Sequence, residues 1–217
     1  MSRITTEAEG IARMTDHFAR GNMSGQYPIW TVRKAAALTV AQMAPGAEIR
    51  NVLDLGIGDL SVMAAWGGFR GLSHYHGVDG TPAVISGAAE KLAQLRAAGE
   101  APPHLVELLT FGELYAGKRP SEFGPWGRRA GPDLVIAFDV LYHVHDDATA
   151  HFLAAYPFTV PSARFVALSW GTGNHVDVDH FDRTYTFPAG WDLIHAEGSE
   201  GAGTVPQRLG VWRRVTC

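Results

Sequence analysis

The stretch that most constrains the fold is residues 51–62, NVLDLGIGDLSV. An apolar run leads to Asp54, and two glycines, Gly56 and Gly58, follow it one residue apart. Glycine is needed where a chain turns sharply out of a buried strand or passes close to a ligand. The stretch therefore predicts a strand, a ligand-binding turn and a helix, which together form the first unit of an open α/β sheet.

The turn departs from the two common phosphate-binding patterns. A Walker loop requires a lysine after its last glycine, and this stretch has none. The dinucleotide fingerprint G-x-G-x-x-G would need a third glycine where Ser61 stands. Asp59 also lies where a helix start would meet a pyrophosphate, and its carboxylate would repel that group. The turn therefore favours a ligand that is positively charged and carries no phosphate.

The rest of the chain alternates between strand and helix patterns. Further strands are predicted at 74–78, 104–110, 133–138 and 164–169, with helices at 59–69, 81–98 and 146–156. The tail instead shows two strands, 191–196 and 207–215, that are typical of an antiparallel hairpin. We therefore expect an α/β, Rossmann-like, doubly wound sheet of seven strands, mostly parallel with a C-terminal antiparallel hairpin.

Two helices are predicted before the sheet, at 4–19 and 28–43. We expect the chain to divide into an N-terminal helical lid segment, residues 1–45, and a main domain, residues 46–217.

Composition narrows the class of protein. The chain is 46% hydrophobic and 18% charged, which is enough for a packed core, and its formal net charge of −4 disfavours a nucleic-acid partner. The only cysteine is Cys217, and no stretch approaches the roughly 18 apolar residues of a membrane span. We expect a cytoplasmic protein with no membrane or nucleic-acid partner. The sequence does not predict an oligomeric state.

With Asp54, Gly56 and Gly58, the opening stretch resembles the first motif of the class I S-adenosylmethionine-dependent methyltransferases. That motif is an apolar strand, an acid and G-x-G-x-G, and this chain departs from it at Leu60, where the last glycine would stand. The resemblance covers roughly residues 50–170 through motifs and the tail through its pattern only. It implies S-adenosylmethionine as the cofactor.

The resemblance also implies which residues hold that cofactor. Asp79 follows the second strand, where the family has an acid for the ribose hydroxyls, and Glu113 follows the third, where an acid bonds the adenine amino group. Each acid has an ordinary alternative, as a turn or cap residue or as a solvated loop acid. The full set of expected cofactor residues is Asp54, Gly56, Gly58, Asp79, Gly80, Phe111, Gly112, Glu113 and Asp139.

The segment after the fourth strand, FDVLYHVHDD, resembles the same segment of small-molecule methyltransferases. His143 is the first candidate for a general base, with Tyr142 beside it, because imidazole titrates near neutral pH. The alternative is that His143 only packs under the next helix. The signature [DNS]-P-P-[YFW] of amino-methyltransferases is absent, which favours a small-molecule acceptor that is methylated on O, N or C.

Two further segments are candidates for the acceptor pocket. Residues 21–30 offer Tyr27 and Trp30, and residues 170–191 begin with Trp170; His145 is the remaining substrate candidate. The second segment also contains metal-type ligands in an H-x-D-x-D-H run, but no known ligand spacing is matched and we expect no metal. A solvated lid or an alternating edge strand is the favoured interpretation of that segment.

The sequence thus predicts an S-adenosylmethionine-dependent methyltransferase that acts on a small molecule by in-line displacement. An NAD(P)-dependent oxidoreductase, or a non-catalytic protein that retains the fold, are the alternatives.

Overall fold

The structure is a computed structural model that describes residues 6–20, 28–120, 131–144, 146–171, 177–199 and 207–215 of the chain. Its strands are β1 (Asn51–Leu55), β2 (His74–Asp79), β3 (His104–Leu108), β4 (Leu134–Ala137), β5 (Phe165–Gly171), β6 (Trp191–Ser199) and β7 (Gln207–Arg214). Its α-helices are α1 (Glu7–Ala19), α2 (Pro28–Met43), α3 (Ser61–Ala65), α4 (Pro82–Ala97), α5 (Phe111–Tyr115), α6 (Asp147–Thr159) and α7 (Val178–Thr184). A short 3₁₀ helix, Val140–His143, follows β4.

The seven strands form one sheet in the order β3-β2-β1-β4-β5-β7-β6. The first five are parallel, and β7 runs antiparallel to both β5 and β6. Leu55 at the end of β1 is in register with Val78 of β2 and Ala137 of β4, so these strands end at one edge. The predicted mostly parallel sheet with a C-terminal hairpin is confirmed.

The core lies on both faces of this sheet. One cluster contains Leu53 and Leu55 of β1 and packs against α6 and α7, and the other contains Val52 and packs against α2 and α4. Successive residues of a strand point to opposite faces, so a strand that is covered on both sides must be apolar throughout. This explains why the central strands β4 and β5 are largely apolar runs rather than alternating ones.

Helix α2 belongs to this core. Ala37, Leu38 and Ala41 are fully buried, and the helix packs against α3 and the C-terminal strands. The division of the chain at residue 45 stays a prediction, but α2 shares its packing with the sheet.

Three helical segments differ from the sequence-based expectation. Helix α3 is shorter than predicted, since Gly67 and Gly68 follow it with positive φ. Helix α5 begins at the predicted end of a strand, and α7 lies in the segment interpreted as a solvated lid or an edge strand. Each of the last two is at most seven residues long and depends on a side-chain cap, which periodicity does not detect. No helix among the described residues is long and apolar enough to cross a membrane.

Candidate functional site

The turn between β1 and α3 has the backbone that its glycines allow. Gly56 and Gly58 have φ of 75° and 52°, in the left-handed region that glycine adopts readily. A Cβ atom on Gly56 would stand 2.9 Å from Cγ2 of Val140, so the chain after β4 crosses close above this turn. The Gly56 amide donates a hydrogen bond to the Val78 carbonyl at 2.7 Å, which ties the turn to β2.

Leu60 accounts for the departure from the family motif. Its φ of 62° and ψ of 15° place it in the left-handed region, at the position where the motif has its last glycine. Its side chain is 2% exposed and belongs to the core cluster that contains α2. The chain therefore keeps the backbone shape that favours glycine while it buries a leucine side chain at the same position.

Asp54 is a buried acid at the end of β1. Its Oδ2 accepts a hydrogen bond from the Tyr75 hydroxyl at 2.9 Å, and the residue is 7% exposed. Burial raises the pKa of Asp54 from 3.8 to about 7; the Tyr75 hydrogen bond opposes this rise, and the nearby charge of Asp79 adds to it. A cation bound beside Asp54 would favour its ionised form.

Asp79 joins two of the turns at this edge. Its Oδ1 accepts from the Thr81 amide at 2.9 Å, and its Oδ2 accepts from the Gly58 amide at 3.4 Å. Burial raises the pKa of Asp79, and the hydrogen bonds from Thr81 and Gly58 oppose that rise. The long contact to Gly58 leaves Oδ2 able to accept a stronger hydrogen bond from a ligand hydroxyl.

At the end of β3, the acid predicted to bind adenine has a structural role. Glu113 forms a capping box with Thr110, whose amide donates to Glu113 Oε2 at 2.9 Å, and Lys118 donates to Oε1 at 2.9 Å. These two hydrogen bonds, with the Thr110 amide first, lower the pKa of Glu113. The helix cap is thus sufficient to explain Glu113, and its contact with adenine stays a prediction.

The neighbours of Glu113 are also engaged. The Gly112 amide donates to Glu7 Oε1 of α1 at 2.7 Å, and a Cβ on Gly80 would lie 3.3 Å from Cα of Thr110. Phe111 packs against the core cluster on the α6 side of the sheet. Helix α1 therefore reaches the end of β3, beside residues predicted to contact the cofactor.

Asp139, directly after β4, is held by residues from two other elements. Its carboxylate forms an ion pair with Lys34 of α2, and its other oxygen accepts from the Ser169 hydroxyl at 3.1 Å. The backbone of Asp139 is left-handed, with φ of 59°, and its amide donates to the Ser169 hydroxyl at 2.9 Å. Lys34 is only 2% exposed. The sequence reasoning missed Lys34, although a lysine directly before the apolar stretch AAALTVA of α2 was a usable signal.

The remaining predicted residues form no hydrogen bond or ion pair with the acids and glycines above among the described residues, or have side chains outside the described residues. The backbone of Tyr142 and His143 lies in the 3₁₀ helix that follows Asp139, but their side chains, like the whole of Tyr27 and His145, are outside the described residues. Trp30 is half-buried, with the Arg33 guanidinium 5.0 Å from its ring centre. The structure thus brings together Asp54, Gly56, Gly58, Asp79 and Gly80, with Asp139 close to the turn through Val140.

Trp170 is part of an aromatic cluster at the end of β5. Its indole Nε1 donates to Asp182 of α7 at 2.7 Å, and its ring lies 5.4 Å from that of Phe187. In the segment that follows, Asp177 caps α7 by accepting from the His180 amide at 2.8 Å. Within the described ranges, no group of three or more histidine, cysteine, aspartate or glutamate residues is placed to hold a metal ion.

Comparison with known proteins gives matches in structure. No protein-family model matches the chain, and no curated protein matches it in sequence. The magnesium protoporphyrin IX methyltransferase of Synechocystis, solved with bound S-adenosylmethionine, is 16% identical with a TM-score of 0.56, over 99% of this chain and 86% of that one.

Two more methyltransferases have the same fold. A protein of Leishmania major described as S-adenosylmethionine-dependent is 9% identical, with a TM-score of 0.58 over 95% of this chain and 82% of that one. The methyltransferase domain of a bacterial Hen1 is 16% identical, with a TM-score of 0.57 over 84% and 99%. The expected class I methyltransferase fold is confirmed.

Proposed function

We propose that the chain is an S-adenosylmethionine-dependent methyltransferase with a small-molecule acceptor. The observation that carries this proposal is the pair of buried acids, Asp54 and Asp79, beside a turn with two left-handed glycines. The residues fit that cofactor, because the Gly56 position leaves no room for a side chain and the acids match a cationic ligand that bears ribose hydroxyls.

The same turn is poorly suited to a nicotinamide dinucleotide. Asp59 Oδ1 accepts from the Ser61 amide at 3.0 Å, so a carboxylate already occupies the start of α3. A pyrophosphate would compete with that carboxylate and be repelled by it. Asp54 and Asp79 would add to the repulsion if they were ionised. The oxidoreductase alternative is therefore disfavoured by the charges around the turn.

Each residue of the site has a role in the proposal. Asp79 accepts hydrogen bonds from the ribose hydroxyls, Asp54 balances positive charge, and Gly56 and Gly58 let the backbone approach the ligand. When bound, S-adenosylmethionine would supply a methyl group to which an acceptor atom bonds in line while the bond to the sulfonium sulfur breaks, with the neutral thioether S-adenosylhomocysteine as the leaving group. His143, two residues after Leu141 in the 3₁₀ helix, is the proposed base for a proton of the acceptor, with Tyr142 beside it.

The fold itself does not select the acceptor. One structural neighbour is named for magnesium protoporphyrin IX, and another, HEN1, is named as a small RNA methyltransferase. Two features of this chain support a small molecule. Its net charge of −4 lacks the basic excess of a nucleic-acid surface, and the signature for exocyclic amines is missing after β4.

Calorimetry with S-adenosylhomocysteine and with NAD tests this proposal. We expect S-adenosylhomocysteine to bind and NAD to show no binding. Asp79→Ala should weaken S-adenosylhomocysteine by about 10-fold to 100-fold, the range for hydrogen bonds to a charged group. Asp192→Ala is the matched control, because Asp192 is an exposed acid paired with Arg213 on β7. Its affinity should equal that of the wild type.

Three outcomes would contradict the proposal. Binding of NAD alone would favour the oxidoreductase, and binding of neither ligand would favour a non-catalytic protein. Equal affinity in Asp79→Ala and the wild type would remove the ribose assignment. Thermal unfolding of each variant shows whether a lost affinity reflects a lost fold.

A further inference from the structure

A groove lined by aromatic rings lies beside the carboxyl end of β5. Its volume is about 310 Å³, which falls at the lower end of the range for small-molecule pockets. Trp170 of β5, Trp212 of β7 and Phe187 form one wall, and Phe181 and Tyr185 of α7 and its C-terminal end form another. The proposed function assigns no role to this groove as a whole.

The groove and the proposed site both include residues near the end of β5. Ser169, which holds the amide and carboxylate of Asp139, directly precedes Trp170 in the chain. Ligands in open α/β sheets bind outside the carboxyl ends of the strands, and β5 ends at this edge together with β4. Trp170 and Trp212 belong to the core cluster on the α6 and α7 side, whereas Ser169 points to the opposite face of β5, so the groove and the Lys34–Asp139 pair lie on opposite faces near the end of β5.

Polar contacts fix the walls of the groove in position. Asp182 accepts from the Trp170 indole through Oδ1 at 2.7 Å, and its Oδ2 pairs with Arg208 of β7 at 3.3 Å. Gly210 provides the space for the second tryptophan, since a Cβ there would stand 2.2 Å from Cη2 of the Trp212 indole. These contacts hold α7, β5 and β7 together around flat ring surfaces.

The chemistry of the lining indicates the ligand class. Phe181 and Tyr185 stack with ring centres 4.9 Å apart and planes 18° apart, and Phe187 lies 4.5 Å from Trp212 at 31°. These rings pack on one another and leave a mainly aromatic lining, which favours a planar aromatic ring because such a ring gains from offset or edge-to-face contact beyond its buried area. The charged lining residues are two carboxylates, Asp182 and Glu197, and one guanidinium, Arg208, so a polyphosphate is disfavoured.

Tyr185, one of the lining residues, carries a polar group that no described residue satisfies. Its hydroxyl is buried and has no hydrogen-bond partner among the described residues. Burial raises the pKa of Tyr185 well above its usual range, so the hydroxyl stays a neutral donor at physiological pH. A ligand oxygen or nitrogen that reached this hydroxyl would satisfy a group that is costly to leave unpaired.

We infer that this groove binds a neutral, planar aromatic compound that carries a hydrogen-bonding oxygen or nitrogen. The inference rests on the proposed function insofar as this compound is the methyl acceptor. The binding itself can be tested without turnover.

2-Naphthol is a suitable probe, because it is flat, neutral at pH 7 and carries one hydroxyl. The chain has six tryptophans, so ¹⁵N labelling of the indoles gives six signals, two of which Trp170→Phe and Trp212→Phe assign. On titration of the wild-type protein, we expect the largest shifts at Trp170 and Trp212. Decahydro-2-naphthol, the saturated analogue, should bind at least 10-fold more weakly.

A variant that fills the groove supplies the second measurement. Leu193 lines the groove but is 55% exposed, so Leu193→Phe should narrow the groove without disturbing the core. We expect it to weaken 2-naphthol at least 10-fold. Met43→Phe is the matched control, because Met43 is 79% exposed at the end of α2, and its affinity should equal that of the wild type.

The possible failures are distinguishable. Equal binding of the saturated analogue would overturn the aromatic class, and shifts at other tryptophans, or none, would overturn the site. An unchanged affinity in Leu193→Phe would also overturn it. If 2-naphthol binds as expected while S-adenosylhomocysteine does not bind, the proposed function fails and the groove remains a binding site for aromatic compounds.

Discussion

Leu60 gives the sharpest test of how this chain departs from its motif. Two opposing terms act at this one residue. A left-handed backbone costs a non-glycine residue about 1–2 kcal/mol, and a leucine side chain lost from a core costs about 2–5 kcal/mol. Leu60 has φ of 62° and is 2% exposed, so both terms apply in full. Replacement by the motif glycine should therefore destabilise the protein, although it removes strain.

Comparison of Leu60→Gly with Leu60→Ala separates the two terms. Both variants lose the buried side chain, but only glycine relieves the strain of about 1–2 kcal/mol. The unfolded chain gains about 0.4–1 kcal/mol of extra freedom with glycine, which offsets part of that relief. We expect Leu60→Gly to be more stable than Leu60→Ala by about 1 kcal/mol, and both to be less stable than the wild type.

The assay is equilibrium unfolding in urea, with a reference pair in an ordinary helix. Leu92 is fully buried within α4, where glycine costs about 1 kcal/mol more than alanine. The glycine variant should thus be the more stable of the two at Leu60 and the less stable of the two at Leu92. If Leu60→Gly were less stable than Leu60→Ala by the margin seen at Leu92, the left-handed strain at Leu60 would be refuted.

Three further predictions concern the same edge of the sheet. The pKa of Asp54 is about 7 in the folded state against an ordinary 3.8, so between about pH 4 and 7 the folded state keeps a proton that the unfolded state has lost. The free energy of unfolding therefore falls as pH rises through this window. At 1.36 kcal/mol per pKa unit, ionisation of Asp54 lowers the free energy of unfolding by up to about 4 kcal/mol by pH 8. In urea unfolding, Asp54→Asn should lack this pH-dependent loss, and parallel pH profiles of the variant and the wild type would contradict the assignment. Lys34→Met leaves the carboxylate of Asp139 without its counter-charge and should cost about 2–3 kcal/mol, less than for a fully buried pair because Asp139 is one-third exposed. The double variant Lys34→Met/Asp139→Asn should recover part of that loss in the same assay, and strict additivity would show that the pair is not coupled. Gly56→Ala should lower the free energy of unfolding by about 2–3 kcal/mol, because Gly56 has a positive φ and a Cβ there would contact Val140. Adding Val140→Ala should relieve only the contact, and full recovery of stability would show that the backbone is unstrained.

Much of the fold could be predicted because it depends on periodicity and on glycine. The central strands β4 and β5 are short, largely apolar runs. The helices α2 and α4 begin with Pro28 and Pro82 at positions where proline is favoured. The short helices α5 and α7 were missed because one capping side chain, and not a repeated pattern, sets each of their starts.

Part of the candidate site could also be predicted from the sequence, because it depends on where the strands end. Asp54 and Asp79 follow predicted strands, so their meeting at one edge follows from a parallel sheet. Lys34 could not be placed, because its partner Asp139 is 105 residues away in the chain and only the packed helix brings them together. The left-handed backbone of Leu60 could likewise not be predicted, since leucine rarely adopts this conformation.

Helix α2, which supplies Lys34 to Asp139 and apolar side chains to the core, limits how short a folded fragment of this chain can be. A fragment that starts at β1, where the first motif begins, would lack α2 and with it the side chains of Ala37, Leu38 and Ala41 that cover one face of the sheet. It would also leave Asp139 beside an uncovered apolar surface and without the ammonium group of Lys34. Expression of this edge of the sheet alone therefore requires a start at or before Pro28, and we expect a shorter product to be recovered as aggregate.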